Sequence, residues 1–378
     1  MKGNMRFCVP CLFGVEGLVA QELRDMGLEQ VQAENGRVLF SGGWEAMVRA
    51  NLCGRFGERV LLLLGEFPAR SFEELFQGVK ALPWEGLLGK EDAFPVTGSS
   101  LSSQLHSVPD CQAIIKKAIV ERLKAKYKLS WFAESGSLHR VRFRILKDQV
   151  SVMVDTSGEG LHKRGYRALS NDAPMKETLA ASLCQLSRLR QDGHLIDPFC
   201  GSGTILIEGA LLARNIAPGL GRAFTAESWG SVPGQLWQQE RERARSLERR
   251  DTGFTAQGFD VDPAAVELTL ANAQKAGVED CITASVRDVR DFTQEGAYGC
   301  VVCNPPYGER LLDVRQAQEL YRALGQVFQP RRGWSLGVIS PDPEFESLFG
   351  RKADKRRKLY NGMIQCQYYQ YFRGSDKR

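Results

Sequence analysis

The sequence predicts an α/β protein whose C-terminal half forms a parallel sheet wrapped by helices, preceded by smaller α+β units. Three observations support this class. Strand-like and helix-like runs alternate after residue 174, a glycine-containing turn at 197–204 joins a strand to a helix, and shorter runs alternate before residue 166. Strands that alternate with helical segments favour a parallel sheet.

Length and composition limit the class of protein. The chain has 378 residues, 43% hydrophobic and 25% charged, which excludes disordered, collagenous and fibrous proteins. At about 150 residues per domain, this length predicts two to three domains. The longest fully apolar run covers Val60 to Leu64, and residues 1–7 lack the apolar core of a signal peptide. We therefore expect a soluble, cytoplasmic protein without a membrane partner; its oligomeric state is left open.

The first 166 residues are predicted to form two α+β segments. The first has predicted elements at 5–12, 14–26, 38–40, 44–50 and 60–67, with helical spacing of apolar residues at 14–26. The second has helices at 72–78 and 111–127, a turn-rich segment at 99–107, and strands at 140–146 and 150–155. A hairpin-length connection, Lys147-Asp148-Gln149, joins the last two strands.

The region after residue 174 contains the parallel-sheet pattern. A helix is predicted at 174–189, followed by strands at 195–196, 256–260, 282–286, 300–303 and 335–339 and helices at 204–213, 263–276 and 316–328. An insertion at 215–252, with a charged helix at 238–250, interrupts the first crossover. A basic run at 351–358 precedes two closing strands at 355–360 and 364–372.

Basic charge is concentrated in the middle of the chain. Residues 101–173 carry 13 basic and 7 acidic side chains, whereas residues 1–100 carry 10 and 13. A basic patch on a small domain is typical of a protein that binds a polyanion. A solvated helix face explains the charge equally well, because Lys116, Lys117, Lys124 and Lys128 recur at helical spacing.

The ten cysteines are expected to be reduced thiols, since no export signal accompanies them. Cys8 and Cys11, and likewise Cys300 and Cys303, are spaced as zinc ligands could be. Both pairs lie in strand-like runs without a nearby histidine, and Cys300 and Cys303 would point to opposite faces of a strand. We predict buried small hydrophobic residues and no metal site.

The segment Asp197-Pro-Phe-Cys-Gly-Ser-Gly-Thr204 lies where a predicted strand ends and a helix begins, which is where open α/β sheets bind ligands. Gly201 and Gly203 let a ligand approach the backbone. A dinucleotide site would need a third glycine where Leu206 stands, and the Asp197 carboxylate would repel a phosphate. An acid beside a glycine turn suits a cofactor with a cationic ammonium group, such as S-adenosylmethionine.

Further carboxylates follow the next two strands. The second strand ends in Asp260-Val261-Asp262, where a ribose would lie. Asp262 precedes Pro263 and is expected to cap the following helix, which leaves Asp260 free for the ribose hydroxyls. Asp288 follows the third strand and is a candidate acceptor for the adenine amino group, with a solvated loop residue as the alternative.

The tetrapeptide Asn304-Pro305-Pro306-Tyr307 follows the strand at 300–303. The Asn304 amide oxygen and the Pro305 carbonyl could accept hydrogen bonds from an exocyclic NH2 group of a base, and Tyr307 offers a face for stacking. A proline turn that ends a strand is the alternative explanation. The occurrence of the glycine loop, the acid-ended strand and this tetrapeptide in one order favours the base site.

These motifs give the sequence a family resemblance. Residues 174–372 resemble the class I S-adenosylmethionine-dependent methyltransferases that modify exocyclic amines, a Rossmann-like fold with a mostly parallel seven-stranded sheet. Residues 68–166 resemble a THUMP domain, an RNA-binding module, and the start of the chain is similar to a ferredoxin-like domain. The nearest resemblance is to bacterial 23S ribosomal RNA guanine-N2 methyltransferases. It implies domains at 1–67, 68–166 and 167–378.

The resemblance also implies roles for individual residues. The methionine side of the cofactor would contact Asp197, Phe199, Cys200, Gly201, Gly203 and Thr178. The ribose and adenine would contact Asp260, Val261 and Asp288. The base pocket would be formed by Asn304, Pro305, Pro306 and Tyr307. Phosphates of the RNA partner, 23S ribosomal RNA or a ribosome precursor, would contact Lys116, Lys117, Lys163, Arg164 and Arg167.

Three functions remain open at this stage. Guanine-N2 methylation of ribosomal RNA is the favoured one. Adenine-N6 methylation of RNA or DNA is the enzymatic alternative, because the same tetrapeptide serves both amines. A catalytically silent RNA-binding assembly factor is the third, although the intact glycine loop and tetrapeptide argue against it. The target nucleotide and the role of the insertion are not determined by the sequence.

Overall fold

The computed structural model describes residues 4–167, 175–307, 314–328 and 332–372, and the chain divides into two compact units. Unit 1 comprises residues 1–11, 19–161 and 222–243; unit 2 comprises residues 12–18, 162–221 and 244–378. Each unit is built on one seven-stranded sheet. Among the described residues, no helix combines the length and apolar character that a membrane span requires.

The chain between residues 5 and 155 alternates strands and helices much as predicted. The strands are β1 (Met5–Pro10), β2 (Glu29–Glu34), β3 (Arg37–Gly42), β4 (Leu61–Pro68), β5 (Val96–Leu101), β6 (Val141–Leu146) and β7 (Gln149–Asp155). The helices are α1 (Glu16–Asp25), α2 (Trp44–Cys53), α3 (Phe72–Lys80) and α4 (Val108–Tyr127). The sheet has the order β2-β3-β1-β4-β7-β6-β5, with β5 and β6 parallel and the other pairs antiparallel.

Two strands of this sheet differ from the sequence prediction. β2 was not predicted, because its mostly polar residues lack an apolar pattern and only its pairing with β3 defines it. β5 takes up the start of the segment predicted to be turn-rich, and parallel pairing with β6 makes it a strand. The predicted hairpin between β6 and β7 is present. Lys147 and Asp148, with φ of +52° and +62°, form its tight turn.

Unit 2 has the predicted parallel sheet. Its strands are β8 (His194–Asp197), β9 (Thr255–Asp260), β10 (Ile282–Val286), β11 (Gly299–Cys303), β12 (Trp334–Ser340), β13 (Lys355–Asn361) and β14 (Ile364–Phe372). The helices beside them are α5 (Glu177–Leu186), α6 (Thr204–Ala213), α8 (Pro263–Ala276), α9 (Val314–Val327) and α10 (Phe345–Phe349), and α7 (Gly234–Ser246) lies in the insertion. Pro174, the predicted start of α5, lies outside the described residues.

The strand order of this sheet, β10-β9-β8-β11-β12-β14-β13, positions the candidate site. β8 to β12 run parallel, and β14 is antiparallel to both of its neighbours. The next two strands along the chain, β9 and β10, lie on one side of β8. β11 and all later strands lie on its other side, so the direction of strand order reverses between β8 and β11. Such a reversal opens a crevice at the carboxyl ends of β8 and β11, where α/β sheets bind ligands.

The insertion is anchored within unit 1. Trp229 is 1% exposed, its indole N–H donates to the Leu138 carbonyl at 2.9 Å, and its ring stacks on that of His139 at 4.3 Å between centroids. The Ser137 hydroxyl donates to the carbonyl of Ser228 at 2.7 Å. The charged helix α7 starts and ends four residues before its predicted bounds.

We expect Trp229→Ala to destabilise unit 1 by about 3–5 kcal/mol, because the change leaves a cavity and removes a buried indole. Thermal denaturation measures the loss, and limited proteolysis should show new cleavage within 222–243. Trp131→Ala is the matched control, since Trp131 is 74% exposed. Equal melting temperatures for the two variants would contradict this account of the insertion.

Candidate active site

The crevice at the strand reversal is bordered by two predicted motifs. β8 ends at Asp197 and β11 ends at Cys303, directly before Asn304. The two strands are hydrogen-bonded neighbours, with Leu195 opposite Cys300 and Ile196 opposite Val301. The glycine loop and the Asn-Pro-Pro-Tyr tetrapeptide therefore leave the sheet side by side.

The glycine loop is a tight turn between β8 and α6. Asp197 is 1% exposed, and its carboxylate accepts the N–H of Phe199 at 3.0 Å. Gly201 and Gly203 have φ of +52° and +77°, in the left-handed region that favours glycine. The N–H of Cys200 donates to the Phe259 carbonyl at 2.9 Å, which ties the loop to β9.

The two glycines serve different purposes. A Cβ on Gly203 would lie 2.8 Å from Cγ2 of Thr269, so glycine is needed there for close packing against α8. A Cβ on Gly201 would meet no atom of the described residues within 4 Å. Gly201 thus has open space beside it, as a residue that leaves room for a ligand should.

The Asp260 carboxylate has hydrogen-bond partners within the protein that the sequence did not suggest. One carboxylate oxygen accepts the N–H of Gly201 at 2.9 Å, and the other accepts the N–H of Asp262 at 3.1 Å. Each oxygen keeps a second lone pair for a ligand. Asp262 caps α8 as predicted, accepting the N–H of Ala264 at 2.9 Å. Val261, between the two carboxylates, is 66% exposed.

Burial dominates the electrostatics of the loop. It raises the pKa of Asp197 to about 8, with the charge of Asp260 acting in the same direction and the Phe199 N–H opposing it. Burial also raises the pKa of the Cys200 thiol to about 12. Asp197 therefore holds a proton at neutral pH in this structure, and a cationic ligand would favour its carboxylate form.

The other three predicted cofactor residues, Asp288, Thr178 and Phe199, differ in burial and in hydrogen bonding. Asp288 follows β10 and caps a short 3-10 turn, accepting the N–H and the guanidinium of Arg290 at 2.8 Å each. Thr178 is fully buried in α5, where its carbonyl accepts the Ser182 hydroxyl. Phe199 is partly buried against the core of the sheet.

The tetrapeptide after β11 is held from two sides. The Tyr307 hydroxyl donates to the Asn304 amide oxygen and accepts from the Asn361 amide at 3.3 Å. The Pro306 carbonyl accepts from the hydroxyl of Tyr321, on α9, at 3.2 Å. Burial raises the pKa of Tyr307 well above its usual range and that of Tyr321 to about 12, so both hydroxyls keep their protons.

Sequence reasoning missed Tyr321 and Asn361. Tyr321 belongs to the apolar pattern of α9 and is 1% exposed, so it resembles a core residue. Asn361 and Gly362 form a pair typical of a hairpin turn, which accounts for their presence without a site. Their place beside the tetrapeptide depends on contacts across 15 and 54 residues of sequence.

Most of the predicted phosphate-contacting cations have partners within the protein. Lys116 pairs with Glu134 at 2.5 Å, and Arg167 pairs with Glu177 at 2.8 Å. The Arg164 side chain is 2% exposed and paired with Glu208 at 3.4 Å. Its guanidinium is therefore buried in this structure, and the predicted contact with phosphate would require Arg164 to leave Glu208. Lys117 and Lys163 are exposed.

The Cys-x-x-Cys pairs are buried thiols, as predicted from their strand-like surroundings. Burial raises the pKa of both Cys8 and Cys300 to about 11, so these thiols keep their protons. Across the described ranges, the structure contains no group of three or more His, Cys, Asp or Glu side chains placed to hold a metal ion.

Known protein families match three parts of this chain. A family described as the RMKL-like methyltransferase domain matches residues 164–370, an RlmL ferredoxin-like domain matches 6–61, and a THUMP domain matches 69–155.

Individual relatives agree with these matches. The chain is 44% identical over 361 residues to "Putative RNA methyltransferase YpsC" of Bacillus subtilis, covering 95% of this chain and 94% of the relative. It is 35% identical to "Ribosomal RNA large subunit methyltransferase K/L" of Psychromonas ingrahamii, covering 99% of this chain but 51% of that protein. The solved structure named "Crystal structure of SMU.472, a putative methyltransferase complexed with SAH" has a TM-score of 0.93 and 42% identity over 100% of both chains.

The sheet order and the glycine loop, together with these relatives, define a class I methyltransferase that depends on S-adenosylmethionine. The chain belongs to the RMKL-like methyltransferase family, and the predicted fold class, family and cofactor are confirmed. The residues present fit this cofactor. Open space at Gly201, acceptor oxygens on Asp197 and Asp260, and the exposed Val261 suit its ammonium, ribose and adenine groups.

We expect the affinity for S-adenosylhomocysteine to rise with pH between about 5.5 and 7, by up to about tenfold per unit. Below its pKa of about 8, Asp197 is mostly the neutral acid and must lose its proton to pair as a carboxylate with the ligand's ammonium group, which stays protonated over this range. Calorimetry measures the affinity. Asp197→Asn should bind weakly without this slope, and a flat wild-type profile would contradict the ammonium contact.

Proposed function

We propose that this protein transfers the methyl group of S-adenosylmethionine to the exocyclic N2 amine of a guanine in RNA, in 23S ribosomal RNA or a ribosome precursor. The observation that carries the proposal is the position of Asn304 beside the Asp197 loop at the strand reversal. The THUMP match and the relative named as a ribosomal RNA methyltransferase support an RNA substrate. The chain spans about half of that relative, so its substrate enters only as part of this proposal.

The cofactor would be held by the residues around the glycine loop. We assign the methionine end to the segment between Asp197 and Gly203, the ribose to Asp260, and the adenine to Val261 and Asp288. In support, Asp197 and Asp260 keep unused acceptor lone pairs, and Val261 presents an exposed apolar surface beside them. Thr178 is assigned from the family resemblance alone.

Asn304 and Pro305 would orient the reacting amine. The N2 lone pair of guanine is delocalised into the ring, which makes it a poor nucleophile. Two hydrogen bonds, from its protons to the Asn304 amide oxygen and the Pro305 carbonyl, would aim the lone pair and favour its localisation. The bound cofactor supplies a methyl group on a sulfonium. Positioning therefore provides most of the rate. The methylated amine is a strong acid until it loses one proton to water, so no strong base is required.

RNA binding is assigned to fewer cations than the sequence suggested. Lys117 and Lys163 are exposed and remain in the proposal. Lys116 and Arg167 also remain, and to reach phosphate they would have to leave Glu134 and Glu177. We also propose that the division at 1–67, 68–166 and 167–378 reflects function. The second part would bind RNA and the third would carry catalysis.

Adenine-N6 methylation, of RNA or DNA, is the second candidate. It is favoured by the same observation, because two acceptor oxygens at the end of β11 can hold either exocyclic amine. An RNA-binding factor without catalysis is separated from both enzymes by calorimetry with S-adenosylhomocysteine, since such a factor would not bind this ligand.

Nucleoside mass spectrometry tests the proposal directly. Ribosomal RNA from a strain lacking the protein is incubated with the purified protein and isotope-labelled S-adenosylmethionine, then digested to nucleosides. We expect labelled N2-methylguanosine. Labelled N6-methyladenosine would support the second candidate, and no labelled nucleoside despite cofactor binding would reject both RNA reactions.

In the same assay, we expect Asn304→Ala to lower the rate of methyl transfer by at least about 10²-fold, the usual effect of losing one positioned hydrogen-bonding group. Its affinity for S-adenosylhomocysteine should stay within about twofold of wild type, because Asn304 is assigned to the base. Asn35→Ala, an exposed asparagine of unit 1, is the control. Full activity in Asn304→Ala would overturn the mechanism.

A further inference from the structure

The edge strand of the unit 2 sheet is strongly basic. β13 stands last in the strand order and contains much of the basic run at 351–358. Arg356 pairs with Glu346 at 3.4 Å, and Arg357 donates to the Gly14 carbonyl at 2.6 Å. Lys352, Lys355 and Lys358 are exposed, and within the described part of the chain no carboxylate forms an ion pair with their ammonium groups.

This strand leads to the candidate base site. It ends at Asn361, whose amide contacts the Tyr307 hydroxyl. At about 3.3 Å per residue, Lys358 lies about 10 Å and Lys355 about 20 Å along the strand from Asn361. An aromatic side chain accompanies the lysines. Phe13 is 59% exposed and precedes Gly14, which Arg357 holds beside β13.

We propose that Lys355, Lys358 and Phe13 form a second RNA-contact surface along the free edge of β13, where the two lysines project from opposite faces of the strand. This surface would bind the RNA segment that flanks the target base. Lysines that lack internal ion pairs bind phosphates, and an exposed aromatic ring stacks a base; single-stranded nucleic acid sites combine these two features. Lysines also protect edge strands from aggregation. Protection alone explains neither the exposed phenylalanine nor the position beside Tyr307. This inference rests on the proposed RNA substrate.

Fluorescence anisotropy with a labelled 15-nucleotide single-stranded RNA of mixed sequence tests the surface across a salt series. We expect Lys355→Gln and Lys358→Gln each to reduce the slope of log affinity against log salt by about 0.7, the value for one lost phosphate contact. Phe13→Ala should weaken binding without changing the slope. Lys275→Gln, an exposed lysine of α8, is the control.

Lysine variants with the wild-type slope would overturn this surface. If they also aggregate, measured by light scattering, the lysines protect the edge instead. The methylated nucleoside made by the wild-type protein is assayed separately, so a failure of this surface is distinguishable from a failure of the proposed reaction.

A second inference comes from the hydrogen bonds around Tyr307. Its hydroxyl has one proton. Because the Asn361 amide and, at 4.0 Å, the Cys366 thiol donate to the hydroxyl oxygen, that proton is directed to the Asn304 amide oxygen. An asparagine amide can otherwise rotate by half a turn and exchange its oxygen for its NH2 group. A rotated Asn304 would present donors to the donors of a base amine.

The geometry points to Asn361 as a positioning residue that, through Tyr307, keeps the Asn304 oxygen towards the base. The second lone pair of that oxygen stays available to the amine. Asn361→Asp reverses the polarity, since a carboxylate accepts the Tyr307 proton and draws it away from Asn304. Asn361→Ala removes the donor without this reversal. This inference also rests on the proposed base site.

A double-mutant cycle in the methyl-transfer assay tests this role. We expect Asn361→Asp to lower kcat more than Asn361→Ala, by about tenfold or more, with KM for RNA unchanged. In a Tyr307→Phe background, which has no hydroxyl proton to withdraw, the two substitutions should have equal effects. Met363→Ala, in the same hairpin and 97% exposed, is the control.

Equal effects of the two Asn361 substitutions in the wild-type background would overturn the positioning role and leave a structural one. So would a kcat difference that persists in Tyr307→Phe. The wild-type product, measured in the same assay, reports on the proposed reaction independently.

Discussion

The hydrogen bond from the Gly201 N–H to Asp260 is the constraint on which the candidate site depends. This hydrogen bond fixes the turn after β8 against the end of β9. Within the same turn, Asp197 accepts the N–H of Phe199. The left-handed conformations of Gly201 and Gly203 make this turn possible. α6 then begins where Thr269 of α8 packs against Gly203, and no atom of the described residues fills the space beside Gly201.

The other wall of the crevice is supported by residues from the end of the chain. Tyr321 holds the Pro306 carbonyl and accepts from the Ser340 hydroxyl at 3.2 Å. β14 is antiparallel to both β12 and β13, so β13 runs in the same direction as β12. β13 therefore ends where the parallel strands have their carboxyl ends, and there Asn361 contacts Tyr307. The tetrapeptide is thus held in two ways, by its own prolines and by hydrogen bonds from a helix hydroxyl and a hairpin amide.

Charge counting and charge placement lead to different conclusions about RNA contacts. The middle of the chain is the most basic segment, yet Lys116, Arg164 and Arg167 each pair with a glutamate. The glutamates lie 10 to 44 residues away in sequence, so composition does not reveal the pairs. The exposed lysines of β13, by contrast, belong to residues 174–378, a part of the chain whose net charge as a whole is close to neutral.

The sequence by itself determined the α/β class, the order of most elements, the cofactor and the position of the tetrapeptide at the end of a strand. These follow from turn chemistry and apolar spacing, which are local properties. The glycines at 201 and 203, the cap at Asp262 and the hairpin at Lys147 and Asp148 are of this kind. Only the tertiary structure decided the strands β2 and β5, the amide partners of Asp260, the burial of Arg164 and the contacts of Tyr321 and Asn361. Each of these depends on pairing between segments distant in sequence, and a local pattern does not specify which distant group a polar side chain will meet.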